Sequence, residues 1–424
     1  MANYKAVSWR MFAVALPILF HLHQFTVSAL QQQHLQVNAR RGAKQMKKIL
    51  GQNHYQVLSP RELRELAEKN LIQTPGSNQY CKKWRYWSEL SITAIRHHLS
   101  ENLPYPYDPE RFEQLFYALG TAADRGEMPS FADPGSRSGY ALEFFCRARL
   151  LADLLFNKFN QTLPEFWEQA FCEKIYFGDG QVGSAKVLGE PLKTCRVTSL
   201  GGGPGYDHLS IILADTYRNS GHSKTRIETT VFDYEEGWGD LVDAMNIATN
   251  KAMDNNCQNS LQWGGECDII KPLSDPVNAV CQAKVSTTDI FICQYTVAEN
   301  AKPLREAEFV FFSDLFDAAN DKTIFIFTET TPRVWPEFAD LLIQKFDGGN
   351  GFQIGFPRNT RRGKTGPQLV IQKREGATLS KDELSKCEKY CHFQTIHEEK
   401  IKNGYRRQSR KTKGSKGIVQ PLGG

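Results

Sequence analysis

The sequence predicts an α/β fold, a doubly wound and largely parallel sheet preceded by an all-helical segment. Three observations carry that expectation. An apolar strand over residues 196–200 runs straight into Gly201-Gly202-Gly203-Pro204-Gly205. From there strand-like and amphipathic helix-like segments alternate as far as residue 346, and two short strands joined only by a loop close the pattern. Four glycines in five positions cost roughly 0.5 to 1 kcal/mol each in unfolded-state entropy relative to Ala. A strand-to-helix turn that bears this cost leaves bare backbone for a ligand to lie against, because Gly has no Cβ and tolerates positive φ.

The helical segment spans residues 62–190. Ser59-Pro60-Arg61-Glu62 has the form of a capping box with Pro at the first helical position, which opens a helix over 62–70. Further helices are expected over 80–100, 109–124 and 139–159, separated by Pro-rich breaks at 103–106 and 128–130. Tyr80, Trp84, Tyr86 and Trp87 form an aromatic cluster that suits either core packing or the wall of a pocket over the sheet. After the glycine turn, Leu209, Ile212, Leu213 and Tyr217 give a helix one apolar face. Residues 227–232 form a strand ending at Asp233, 240–253 a helix, and 264–270 a short strand region containing Asp268. Residues 289–295 and 323–328 are apolar on both faces, as central parallel strands buried under helices should be. Helices over 309–319 and 337–346 alternate with them, and 352–356 and 368–372 form the closing hairpin.

Spacing narrows the ligand. G-x-G-x-x-G fails in both frames, since Gly201 and Gly203 are followed by Tyr206, and Gly203 and Gly205 by His208. A P-loop fails because Gly205-Tyr206-Asp207 stands where Gly-Lys-Ser/Thr is required. The remaining G-x-G-x-G, Gly201, Gly203 and Gly205, resembles the first motif of the class I S-adenosylmethionine-dependent methyltransferases. That resemblance covers about residues 190–375 and implies a seven-stranded Rossmann-like sheet with S-adenosylmethionine as cofactor. It places the three glycines along the cofactor and Asp233 on the ribose hydroxyls, where an ionised carboxylate accepts two hydrogen bonds from a vicinal diol. It also places Asp268 near the adenine amino group and makes Gln294, at the end of the fourth strand, a further cofactor contact. The chain departs from the family at Ser199, where an acid normally orients the methionine amino group.

Tyr295 and Glu299 occupy the neighbourhood of a substrate contact or general base. The fourth strand lacks the Asn/Asp-Pro-Pro-Tyr signature of amino-nitrogen transfer. The loop over 357–367 concentrates Arg358, Arg361, Arg362 and Lys364 and would attract an anionic acceptor. The resemblance therefore implies a methyltransferase acting on a small molecule or protein side chain. Tyr295-Thr296-Val297-Ala298-Glu299 and Thr330-Thr331-Pro332 faintly resemble a mitochondrial ribosome-associated family, which keeps an RNA methyltransferase or ribosome-assembly factor open although that family's clustered cysteines are absent. A non-catalytic S-adenosylmethionine-binding module is the third reading, made conceivable by Ser199.

Charge is segregated. The chain carries +5 overall, but residues 1–61 hold eight Lys or Arg and no acid, and residues 400–424 hold another eight and no acid. The body between them has 36 basic against 47 acidic residues, or −11, which speaks against a grip on long nucleic acid and leaves such a contact only to the basic tail. Lys5 and Arg10 precede an apolar run over 11–20, too short to span a bilayer, and Val27-Ser28-Ala29 has the form of a signal-peptidase site. The expected organisation is a signal peptide over 1–29, a basic transit-like segment over 30–61, the helical segment, the cofactor-binding domain over 191–376 and an extension over 377–424, with no transmembrane segment in the mature chain. The two leader segments together resemble the plastid address of algae with secondary plastids; the secretory route or endoplasmic reticulum and a mitochondrial presequence are the rivals. The ten cysteines are scattered, which fits reduced thiols, and Cys387 with Cys391 lacks the partners a metal site needs, so no metal is expected.

Overall fold

The computed structural model describes residues 79–125, 130–155, 193–218, 225–253, 259–329, 334–355, 368–382 and 385. The two leader segments, the helix expected over 62–70, the loop with Arg358, Arg361 and Arg362, Cys387 with Cys391 and the basic tail lie outside the described residues.

Among the described residues four helices precede the sheet: α1 (Gln79–Glu101), α2 (Pro109–Arg125), α3 (Pro134–Glu143) and α4 (Cys146–Asp153). The single helix expected over 139–159 is thus two. α3 begins early because Asp133 accepts a hydrogen bond from the Ser136 N–H at 2.7 Å and Pro134 takes the first position. It stops at Phe144 and Phe145, whose rings turn onto Tyr140 and Tyr206 respectively.

The strands are β1 (Lys193–Leu200), β2 (Thr225–Asp233), β3 (Ser260–Glu266), β4 (Ile290–Gln294), β5 (Ile324–Thr328), β6 (Phe352–Gly355) and β7 (Leu369–Lys373). They form one seven-stranded sheet in the order β3-β2-β1-β4-β5-β7-β6. The first five are parallel, and β7 runs antiparallel to both β5 and β6. β6 therefore points the same way as β1 to β5. The expected doubly wound sheet with a closing hairpin is what forms. β3 starts and ends earlier than expected, so Asp268 lies beyond its end at Glu266 rather than within a strand.

Period-two alternation sorts the strand residues onto two cores. Ile290, Ile292, Ile324 and Ile326 join α5 (Tyr206–Arg218), α6 (Gly239–Met253) and the preceding helices in one cluster. Phe291, Cys293, Phe325 and Phe327 join the second face, where α7 (Ala279–Lys284), α8 (Ala301–Glu306), α9 (Val310–Ala318) and α10 (Trp335–Lys345) lie. Each such side chain contributes about 1.5 to 3 kcal/mol by burial. Trp84 and Trp87 are fully buried against Tyr217 of α5, so this part of the aromatic cluster is core. Among the described residues no helix is long and apolar enough to cross a membrane, and no group of three or more His, Cys, Asp or Glu is placed to hold a metal ion.

Candidate functional site

The strand order reverses between β1 and β4, and in open α/β sheets the crevice at that point, beyond the carboxyl ends of the strands, is where ligands bind. Here it is a cleft whose floor is the glycine turn. Gly201 and Gly203 have φ of +64° and +51°, and both line the cleft. A Cβ on Gly201 would strike the Thr296 hydroxyl at 2.3 Å, while one on Gly203 would project into the space beneath Tyr140 and Trp238 at 3.8 Å. Gly205, with φ of +93°, does not line the cleft; a Cβ there would meet Leu261, and its work is to start α5.

The turn is clamped from β2. The Gly201 N–H donates to the Phe232 carbonyl at 2.8 Å, and the Gly203 N–H donates to Asp233 Oδ2 at 3.0 Å. Asp233 Oδ1 accepts from the Glu235 N–H at 3.3 Å. An ionised carboxylate offers about four acceptor positions, and the backbone donors do not fill them all, so Asp233 can still accept from a ligand in the cleft it lines. Burial raises the Asp233 pKa to about 6, against the lowering effect of the backbone donors from Gly203, Glu235 and Tyr234.

Beneath the turn lies an acid that sequence reasoning missed. Asp207, on the first turn of α5, accepts hydrogen bonds from Ser199 Oγ at 2.5 Å and from Gln294 Nε2, and Gln294 Oε1 in turn accepts from Thr328 Oγ1 at 3.1 Å. All four side chains are buried. Burial raises the Asp207 pKa to about 6, with the Ser199 and Gln294 donors holding it down. Gln294 is thus committed to this network and does not line the cleft. Asp268 is also elsewhere. Its Oδ1 accepts from the Ile270 N–H at 3.0 Å in its own turn, and its backbone N–H donates to Asn278 Oδ1 at 2.8 Å.

The opposite wall comes from the segment after β4 and from the helices. Glu299 lines the cleft, and its pKa is raised by burial and lowered by Arg147. Tyr295, at φ of +59°, carries its ring 4.6 Å from the Arg147 guanidinium, and burial pushes its hydroxyl above the usual range, so it stays protonated. Glu329, just past β5, is buried and accepts from the Ala298 N–H at 3.0 Å; burial raises its pKa to about 8. Tyr140 and Arg147 reach the cleft from α3 and α4, and no spacing signal in the sequence connects them to the glycine turn.

Two buried polar atoms on lining residues have no hydrogen-bond partner among the described residues: Trp238 Nε1, a donor, and Asn300 Oδ1, an acceptor. Leaving such atoms unpaired costs about 1 to 3 kcal/mol each, a cost that a polar ligand removes.

No family model matches the chain, and no curated protein matches it. Among solved structures it is similar to a putative class I S-adenosylmethionine-dependent methyltransferase from Listeria monocytogenes, with 12% identity over 69% of this chain and 91% of that one and a TM-score of 0.30. An arsenic(III) S-adenosylmethionine methyltransferase from Chlamydomonas reinhardtii matches with 12% identity over 55% of this chain and 74% of that one, at a TM-score of 0.28. Human N-acetylserotonin methyltransferase, in complex with S-adenosylmethionine, matches with 11% identity over 75% of this chain and 72% of that one, at a TM-score of 0.26. At these scores the likenesses carry no inference about activity, and the fold rests on the strand order itself.

Proposed function

We propose that the chain is a class I S-adenosylmethionine-dependent methyltransferase acting on a small molecule or a protein side chain. The observation that carries this reading is the Asp233 carboxylate, held at the carboxyl edge by the Gly203 N–H with acceptor positions to spare, beside a turn whose backbone is bare. When bound, the cofactor supplies a methyl group already activated on a sulfonium sulfur, so positioning provides much of the acceleration.

The residues present fit that group. Asp233 would accept from the ribose hydroxyls, Gly201 and Gly203 would allow close backbone approach, and Trp238 Nε1 and Asn300 Oδ1 would gain the partners they lack. Asp207 puts a carboxylate against Ser199, so the missing acid at position 199 no longer argues for a non-catalytic module. Glu299 is the group placed to take a proton from an acceptor, whereas Tyr295 keeps its own. A cleft walled by Phe131, Tyr140 and Arg147 on a body of net −11 favours a small acceptor over RNA. We further propose that residues 1–61 direct the protein to a plastid, which a fluorescent fusion of that segment in an alga with secondary plastids would test by its final compartment.

Calorimetric titration of the full chain with S-adenosylmethionine tests the cofactor. Wild type should bind, and Gly203→Val should abolish binding because the branched side chain fills the floor and strains a positive φ. Asp233→Ala should lose about 1.5 to 3 kcal/mol, the scale of hydrogen bonds to a charged acceptor. Equal affinity in all three proteins would remove the glycine turn from the site. Methyl transfer from labelled cofactor into a source-cell extract then identifies the acceptor.

A further inference from the structure

Arg147 is the one cation among the described residues that line the cleft, and its charge meets three aromatic rings and the Glu299 carboxylate. The guanidinium carbon lies 4.6 Å from the ring centre of Tyr295, 5.1 Å from that of Tyr140 and 5.3 Å from that of Phe144. Three aromatic faces hold the planar group in place through its quadrupole attraction to them. Its nearest carboxylate, Glu299 Oε1, stands 3.6 Å from Nη2, beyond hydrogen-bond distance, and the Glu299 side chain is 31% exposed. Among the described residues no acceptor completes a hydrogen bond to the guanidinium, although it carries five N–H donors. Its side chain is 17% exposed and lines the cleft, so its N–H donors are open to a ligand rather than spent on the protein.

Arg137, by contrast, is more deeply enclosed, and its Nη1 donates to the Phe131 and Ala132 carbonyls at 2.6 and 2.8 Å. Arg147 is aimed at the cleft instead. We propose that Arg147 is the anion-binding residue of this cleft and takes a carboxylate or phosphate of the ligand bound there, in the two-pronged geometry that guanidinium favours. The proposal rests on the methyltransferase reading for the identity of the first ligand. Two sources can present that anion: the amino-acid end of S-adenosylmethionine and the methyl acceptor.

The test uses full-length wild type, Arg147→Lys and Arg147→Met, with the folded state of each checked by thermal melting. Each is titrated with S-adenosylmethionine and with 5′-methylthioadenosine, which has no carboxylate. Each is also titrated with succinate and with inorganic phosphate, once free and once saturated with S-adenosylhomocysteine. One supporting result is a roughly 10- to 100-fold loss of S-adenosylmethionine affinity in Arg147→Met with 5′-methylthioadenosine unchanged, which assigns the guanidinium to the cofactor's carboxylate. The other is unchanged S-adenosylmethionine affinity with loss of succinate or phosphate binding to the saturated protein, which assigns it to the acceptor. Arg147→Lys should retain part of either. Wild-type behaviour of Arg147→Met toward all four compounds overturns the proposal. So does an equal loss of S-adenosylmethionine and 5′-methylthioadenosine, which would make Arg147 a strut between the helices and the sheet. If wild type binds neither nucleoside, the methyltransferase reading fails, and the succinate and phosphate titrations of the free protein still decide the role of Arg147.

Discussion

Asp207 lies under the glycine turn with two donors, Ser199 and Gln294, and no salt bridge to a cation among the described residues. A Cβ on Gly202 would come within 2.0 Å of Ser199 Oγ, so this pair sits directly against the turn. The family resemblance expects a carboxylate at position 199; the structure has Ser199 there, with the Asp207 carboxylate one hydrogen bond away. If its charge serves the cofactor, Asp207→Ser should weaken S-adenosylmethionine binding roughly tenfold, and adding Ser199→Asp should restore most of it. Calorimetry on the two variants decides between charge and packing. A double variant no better than the single one would mean that Asp207 only fills space.

The helices before the sheet are joined to it by specific hydrogen bonds as well as by packing. Tyr206 Oη, at the start of α5, donates to the Tyr140 and Ala141 carbonyls of α3 at 2.7 and 2.9 Å, and Ser210 Oγ donates to the Ala148 carbonyl of α4 at 2.8 Å. The Tyr140 carbonyl also accepts from the Phe144 N–H at 3.1 Å, so the Tyr206 hydroxyl reinforces the end of α3, whose Tyr140 ring lies over Gly203. Tyr206→Phe removes the donor while keeping the ring. Stability should fall by about 1 to 3 kcal/mol, lowering the melting temperature by roughly 1 °C per kcal/mol in a chain of this size. Hydrogen exchange should show the loss of protection concentrated in α3, and a uniform loss across the sheet would contradict this role.

Across the whole molecule, buried carboxyls converge on the carboxyl edge of the sheet. Asp207 and Asp233 have pKa values raised to about 6 and Glu329 to about 8, each chiefly by burial. Their folded pKa values exceed the unfolded ones, so between about pH 4 and the folded pKa the native state holds more protons, and stability falls as pH rises through that window. Glu329→Gln replaces a carboxyl that burial keeps protonated with a neutral isostere. Its stability should match wild type near pH 4 and exceed it increasingly up to pH 8, by at most about 1.4 kcal/mol per pH unit, and its melting temperature should follow. Parallel melting curves at all pH values would show that Glu329 ionises freely. Cofactor affinity should run the other way, rising between pH 5 and 7 as Asp233 ionises and becomes a full acceptor. Titrations at the two pH values check it, with Asp233→Asn expected to lose the dependence.

What the sequence by itself determined is the part of this protein governed by local rules. Ile290 to Gln294 and Ile324 to Thr328 read as strands buried on both faces because alternate side chains must point to opposite cores, and they do. Gly201 and Gly203 announced positive φ, and Asp233 at a strand end announced a carboxylate at the crevice, since neither depends on distant partners. The tertiary structure alone decided which side chains meet. A helical period runs on through Phe144 and Phe145 whether or not the chain breaks there, and only packing onto Tyr140 and Tyr206 shows the break. Asp268 and Gln294 stand where the family pattern expects cofactor contacts, yet neither is among the described residues lining the cleft: Asp268 Oδ1 accepts within its own turn and Gln294 bonds to Asp207. Arg147, more than fifty residues from Gly203, enters the cleft because α4 packs on α5. The charge environment of a side chain is set by whichever elements fold against it, and no spacing along the chain encodes that.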